Sequence, residues 1–272
     1  MSESKPLART ATTATPVQTR QSAIYPSLRD RRVLITGGGS GIGESLVEAF
    51  AAQGSRVAFV DIAEAESRAL VRRLSGSAWK PRYDHCDLVD VDRVRTTIAG
   101  IAEEFGSIDV LVNNAANDDR HALADVTPEY WDDRIAVNLR HLFFCAQAVV
   151  PGMKAAGGGV ILNFGSISWH VALPDIVLYQ TAKAGIEGMT RALARDLGQY
   201  NIRVNTIVPG GVHTRRQELL WHNPEEEARI VSQQCLKQRV MPADVAALAL
   251  FLASDDARMC TGHNYFVDAG WR

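Results

Sequence analysis

Residues 33–43 constrain the fold more than any other stretch. Val33-Leu34-Ile35 is a short apolar run, and Thr36-Gly37-Gly38-Gly39-Ser40-Gly41-Ile42-Gly43 follows it directly. Leu46, Ala49 and Phe50 then recur at helical spacing between Ser45 and Gln53. A strand, a glycine turn and a helix in that order predict an anion site. Glycines allow a tight turn and close backbone approach. The helix start offers unpaired N–H groups and the positive end of a dipole. A glycine string alone fits an ordinary turn equally well, so its place between strand and helix is what points to a pyrophosphate.

The same alternation continues along the chain. Apolar runs at 56–60, 110–112, 160–164, 203–208 and 265–267 alternate with helical segments near 64–75, 91–105, 130–155 and 179–199. Continuously apolar strands joined by amphipathic stretches mean parallel pairing with both faces covered. The expected fold is α/β: a single Rossmann-type doubly wound parallel sheet with helices on both faces. With no internal repeat and no mid-chain linker, residues 26–272 read as one domain. Residues 1–25 are rich in Ser, Thr and Ala without apolar periodicity, and read as a disordered arm without a secretory signal.

Composition removes several function classes. The 272 residues are 46% apolar and 22% charged, so a sizeable core is available. The net charge of -2 comes without a basic stripe, against nucleic-acid binding. Cys86, Cys145, Cys235 and Cys260 form no CxxC pair, against zinc or a disulfide framework, and no metal is expected. No apolar run approaches the ~18 residues of a membrane span, and a cytoplasmic enzyme is the expectation.

Asp61 ends the second apolar run, 18 residues beyond Gly43. A carboxylate there can accept from adenosine ribose hydroxyls and repel a 2′-phosphate. The glycine turn holds no Arg or Lys to offset that repulsion. NAD is therefore favoured and NADP disfavoured. Further on, Tyr179 and Lys183 stand at i and i+4 and share one helix face. An ammonium near a phenol lowers its pKa and makes it a usable base. Ser166 lies thirteen residues upstream, just past the apolar run ending at Phe164, where it can reach a substrate oxygen. A hydrolase triad of Ser166, His170 and Asp175 is the rival pattern, but Gly165-Ser166-Ile167-Ser168-Trp169 is not a G-x-S-x-G elbow.

These motifs resemble the short-chain dehydrogenase/reductase family. Thr36–Gly43, Asn113-Asn114-Ala115-Ala116, Asn138, Ser166, Tyr179, Lys183, Pro209-Gly210 with Thr214, and Val267-Asp268-Ala269-Gly270 all match its pattern. Ala116 and Ala269 stand where glycines are usual. Asn117–His121, Phe164–His170 and Asp268–Arg272 are similar to the branch of bacterial NAD-dependent aldose 1-dehydrogenases.

The resemblance implies roles. Tyr179 would be the general base, Lys183 would hold the nicotinamide ribose, Ser166 would bind the C1 oxygen, and Asn138 would anchor a water leading to Lys183. Gly37, Ser40, Gly41, Ile42, Gly43, Asp61, Ile62, Asp87, Leu88, Asn114, Ala115, Ala116, Pro209, Gly210, Val212 and Thr214 would surround the cofactor with Tyr179 and Lys183. Asn117, Asp118, Ser168, Trp169, His170 and Gln180 would join Ser166 and Tyr179 around the sugar, with Trp169 as the stacking aromatic. D-xylose is the expected substrate and D-xylonolactone its product. L-arabinose, D-galactose or D-fucose, a non-sugar secondary alcohol, and a non-catalytic dinucleotide sensor are the alternatives. The resemblance further implies a homotetramer paired through the helices near 130–155 and 179–200.

Overall fold

The computed structural model describes residues 23–220 and 223–271. Most of the expected arm, residues 1–22, lies outside them. Its last residues do not. The Tyr25 N–H donates to Gln53 Oε1 and the Gln53 amide to the Ala23 carbonyl, both at 2.8 Å, so ordered structure starts slightly before residue 26.

In chain order the elements are β1 (Arg32–Thr36), α1 (Gly41–Ala52), β2 (Arg56–Asp61), α2 (Glu64–Arg73), β3 (Arg82–His85), α3 (Val91–Phe105) and β4 (Val110–Asn113). Then come α4 (Pro128–Ile135), α5 (His141–Ala155), β5 (Gly159–Phe164), α6 (Val177–Leu197) and β6 (Ile202–Pro209). The last are α7 (Arg215–Leu220), α8 (Pro224–Gln233), α9 (Pro242–Ala253) and β7 (Asn264–Val267). The strands form one parallel sheet ordered β3-β2-β1-β4-β5-β6-β7. Strand order reverses between β1 and β4, which opens a crevice at their carboxyl ends.

Alternation along the strands builds two apolar layers. Val33, Ile35, Val57 and Phe59 pack with Leu46 and Phe50 of α1 and Val245 and Ala249 of α9. Leu34, Ala58, Leu111 and Ile161 face the other way, onto Val94 and Ile98 of α3, Val149 of α5 and Leu197 of α6. Asp90 caps α3 by accepting from the Arg93 N–H at 2.9 Å, a contact worth ~1 kcal/mol. A polar row joins this sheet to α6. Asn113 donates to Asn163 at 2.9 Å, Asn163 to Thr190 at 3.0 Å, and Thr206 to Thr190 at 2.8 Å, all buried.

Several elements differ from the sequence expectation, α7 and α8 among them, as neither helix was expected. β3 was not expected, because Arg82-Tyr83-Asp84-His85 has no apolar run; it is a half-buried edge, with Arg82 paired to Asp84 at 2.7 Å and Glu104 at 2.6 Å. α9 is apolar on almost every side and shows little alternation. The expected helix over 130–155 is two helices joined by a π turn, Ala136–Arg140. Such turns recur at functional sites.

Candidate active site

The glycine turn is shaped by close approach. A Cβ on Gly43 would stand 1.7 Å from the Gly37 carbonyl oxygen, so only glycine fits there. Thr36 accepts the N–H groups of Asn114 and Ala115 at 3.0 and 3.2 Å, joining the ends of β1 and β4. The Asn114 amide donates to the carbonyls of Thr36 and Gly37 at 3.1 and 2.9 Å. Asp61 accepts the Gly39 and Ala63 N–H groups, one on each oxygen, both at 2.8 Å. Its carboxylate is thereby aimed along the turn before any ligand arrives.

A cleft of about 590 Å³ runs over the carboxyl ends of the strands. Pockets of ~300–1,000 Å³ suit small ligands. Every residue expected around the cofactor lines this cleft. The glycine turn, the Asp61 carboxylate and the apolar wall of Ile62 and Leu88 suit a nicotinamide dinucleotide.

Ser166, Tyr179 and Lys183 line the same cleft. Lys183 is 2% exposed, and its Nζ donates to the Phe164 carbonyl at 2.8 Å and stands 5.4 Å from the Tyr179 ring centre. Burial pushes the lysine down to about 7, with Asp118 opposing. Burial and then the charge of Asp118 push the Tyr179 phenol above its ordinary value, while the hydrogen bond of Ser166 works the other way. The sequence expectation of a phenol depressed by Lys183 is corrected here for the protein without ligand. The pocket withdraws water from both groups, so each is driven towards its neutral form. The Ser166 hydroxyl accepts the Ser168 N–H at 3.1 Å, which sets the turn Ile167–Trp169.

Asn138 lies in the π turn, fully buried behind the cleft wall. Its Oδ1 accepts the Asn117 N–H at 2.9 Å, and its amide donates to the carbonyls of Asn117 and Arg134, each at 3.0 Å. It therefore fixes the loop that carries Asn117 and Asp118 into the cleft. His141, one turn on, is held neutral: burial and then the Lys183 charge bring its pKa to about 3.

The sugar-side expectations divide. Asn117, Asp118, Ser166, Ser168 and Tyr179 line the cleft. Trp169, His170 and Gln180 do not line it, and the bonds they make run to the fold. Trp169 Nε1 and His170 Nε2 both bond Glu187 Oε1 at 2.9 Å, and their rings stack 3.8 Å apart. The Gln180 amide donates to the Leu173 carbonyl at 2.5 Å. The Trp169 N–H, the His170 Nε2 and one Gln180 N–H are thus turned towards the fold. Arg216, Gln217, Arg239 and Trp271, which sequence reasoning missed, also line the cleft. Trp271 falls in the Asp268–Arg272 stretch already notable as a motif, but its reach to the cleft depends on the chain reversal before it. Arg216 bonds Asp118 at 3.1 Å and Asp119 at 2.7 Å, across the cleft mouth.

A dinucleotide crevice beside a Ser–Tyr–Lys constellation defines an oxidoreductase that uses a nicotinamide cofactor. The chain belongs to the short-chain dehydrogenase/reductase family. Residues 37–272 match the family profile described as enoyl-(acyl carrier protein) reductase. The chain is 63% identical over 251 residues to a D-xylose 1-dehydrogenase of Caulobacter vibrioides, covering 92% of this chain and 99% of that one. It is 50% identical over 253 residues to a "Probable galactose dehydrogenase" of Rhizobium meliloti, covering 93% and 99%. A short-chain type dehydrogenase/reductase from Mycobacterium ulcerans superposes with a TM-score of 0.86 at 25% identity, over 90% of each chain. A blue fluorescent protein from a metagenomic library, in complex with NADPH, superposes at 0.83 with 32% identity, over 90% of this chain and 99% of that one. No helix among the described residues is long and apolar enough to cross a membrane.

Proposed function

We propose that this protein oxidises an aldose at C1 to the aldonolactone with NAD, and that D-xylose is its substrate. The observation that carries the reading is the 63% identity to a D-xylose 1-dehydrogenase over nearly the whole chain. NAD, when bound, would accept the hydride that leaves C1. Tyr179 takes the proton of the C1 hydroxyl, Ser166 holds the C1 oxygen, and the Lys183 ammonium stabilises the phenolate. Water opens the released lactone to the aldonic acid. Asp61 supports NAD over NADP, because a 2′-phosphate would meet a carboxylate already fixed by two N–H bonds. The expected compartment is the cytoplasm.

The test is NADH formation over a panel of aldoses and non-sugar alcohols. D-xylose should lead. Turnover of secondary alcohols with none of any aldose would sink the reading. L-arabinose, D-galactose or D-fucose form the second reading, favoured by the 50% identity to a probable galactose dehydrogenase.

A further inference from the structure

A pyranose presents hydroxyl edges and hydrocarbon faces. Its site therefore needs polar side chains on one side and an apolar plate on another. With Trp169 tied to Glu187, the indole that lines the cleft among the described residues is Trp271. Its position is constructed. Ala269 and Gly270 both hold left-handed backbone, φ 56° and 73°, which turns the chain back on itself. The Leu236 N–H donates to the Ala269 carbonyl at 3.0 Å and the Cys235 N–H to the Gly270 carbonyl at 3.2 Å. The Gly270 N–H donates to Asp268 at 3.0 Å.

The ring itself is fixed. Its Nε1–H donates to Gln233 Oε1 on α8 at 2.9 Å, so the indole has no donor left for a hydroxyl. A Cβ on Gly211 would stand 3.0 Å from Trp271 Cζ3, so the ring lies against the glycine pair that continues the cofactor wall. What remains for a ligand is hydrocarbon and π surface. The polar side belongs to Asp118 on its loop after β4, bonded to Arg216 of α7.

We propose that Trp271 is the stacking plate for a C–H face of the sugar ring, with the Asp118–Arg216 pair meeting its hydroxyl edge. The inference rests on the aldose reading above. It makes Trp271 a specificity-determining residue remote in sequence from Ser166, Tyr179 and Lys183.

The test compares wild type, Trp271→Phe and Trp271→Ala with D-xylose and D-galactose at saturating NAD. Trp271→Ala should raise KM for the better sugar by about tenfold or more, the scale of a lost aromatic contact. KM for NAD should hold, and Trp271→Phe should recover most of the sugar affinity. Sugar should also quench tryptophan emission in wild type and not in Trp271→Phe. An unchanged sugar KM in Trp271→Ala would overturn the proposal. So would a variant that loses NAD affinity and sugar affinity together while Trp271→Phe recovers neither, since Trp271 would then only pack α8. A wild type that turns over no aldose removes the aldose reading itself, whatever the variants do.

Discussion

Glu187 accepts the indole N–H of Trp169 at 2.9 Å, one helical turn beyond Lys183. The same oxygen bonds His170, and the other accepts from Asn264. A Cβ on Gly165 would lie 3.6 Å from it, so the carboxylate sits beneath the backbone that leads into Ser166. One buried acid thus ties α6, β7 and the turn after β5. Glu187→Ala strands three donors and should cost on the order of 3 kcal/mol. Urea unfolding should show the loss, with Glu187→Gln in between because its amide can still accept from Trp169 and His170.

Tyr179→Phe removes one oxygen and leaves the ring. If the phenol is the base, kcat should fall by about 10²–10⁴-fold. NAD affinity should stay close to wild type, as the glycine turn, Asp61 and Lys183 are intact. Steady-state rates and a cofactor titration check both halves; full activity in the variant would mean that another group is the base.

Lys183 gives a pH dependence of stability. Burial brings its folded pKa to about 7, whereas an unfolded lysine titrates near ~10.4. Between those values the unfolded chain binds the extra proton, so stability of the ligand-free protein rises with pH. The contribution is smallest below about 7 and complete above the unfolded value, with a slope of at most ~1.4 kcal/mol per pH unit. Melting temperatures measured from pH 7 to 9 should climb in wild type and flatten in Lys183→Met. A falling wild-type curve would contradict the buried-amine argument.

Asp61→Ala should weaken NAD by about 1–3 kcal/mol and narrow the gap to NADP. The Gly39 and Ala63 N–H groups lose their acceptor as well. Paired KM values for the two cofactors decide it, and an unaltered ratio would remove Asp61 from cofactor choice.

The apolar side chains that α4, α5 and α6 leave uncovered lead us to expect self-association. Trp131 and Phe143 are 45% and 44% exposed. On α6, Ala192 is exposed and Met189 and Leu193 are half-buried, while Ile186 and Leu197 turn inward. Closed symmetric pairing is the ordinary way to bury such a face. We expect a homotetramer by light scattering at micromolar concentration; a monomeric mass would refute it.

The sheet was legible because buried parallel strands are written as apolar runs, and the cofactor cleft because its glycines and Asp61 sit at fixed offsets from them. β3 escaped because an edge strand can be polar, and α9 because a nearly uniform apolar helix has no face to read. The sugar end was harder. Trp169 and Trp271 are both tryptophans near motif residues, and only tertiary contacts tell which indole Glu187 engages. The Tyr179–Lys183 spacing was readable, but the loss of hydration that governs both proton affinities belongs to the folded cleft.

The row Asn113, Asn163, Thr190 and Thr206 has a consequence for how this chain can change. Each member is the partner of another, so replacing one alone with an aliphatic leaves an orphan in the sheet. A single aliphatic replacement is costly here, by about 1–3 kcal/mol, and a matched change in its partner lowers that cost. Asn163 also precedes Phe164, the residue whose carbonyl receives Lys183. A chimera that imports β5 from a relative should therefore keep Asn163 together with Asn113 and Thr190, because one strand carries both this network and the carbonyl that seats the lysine.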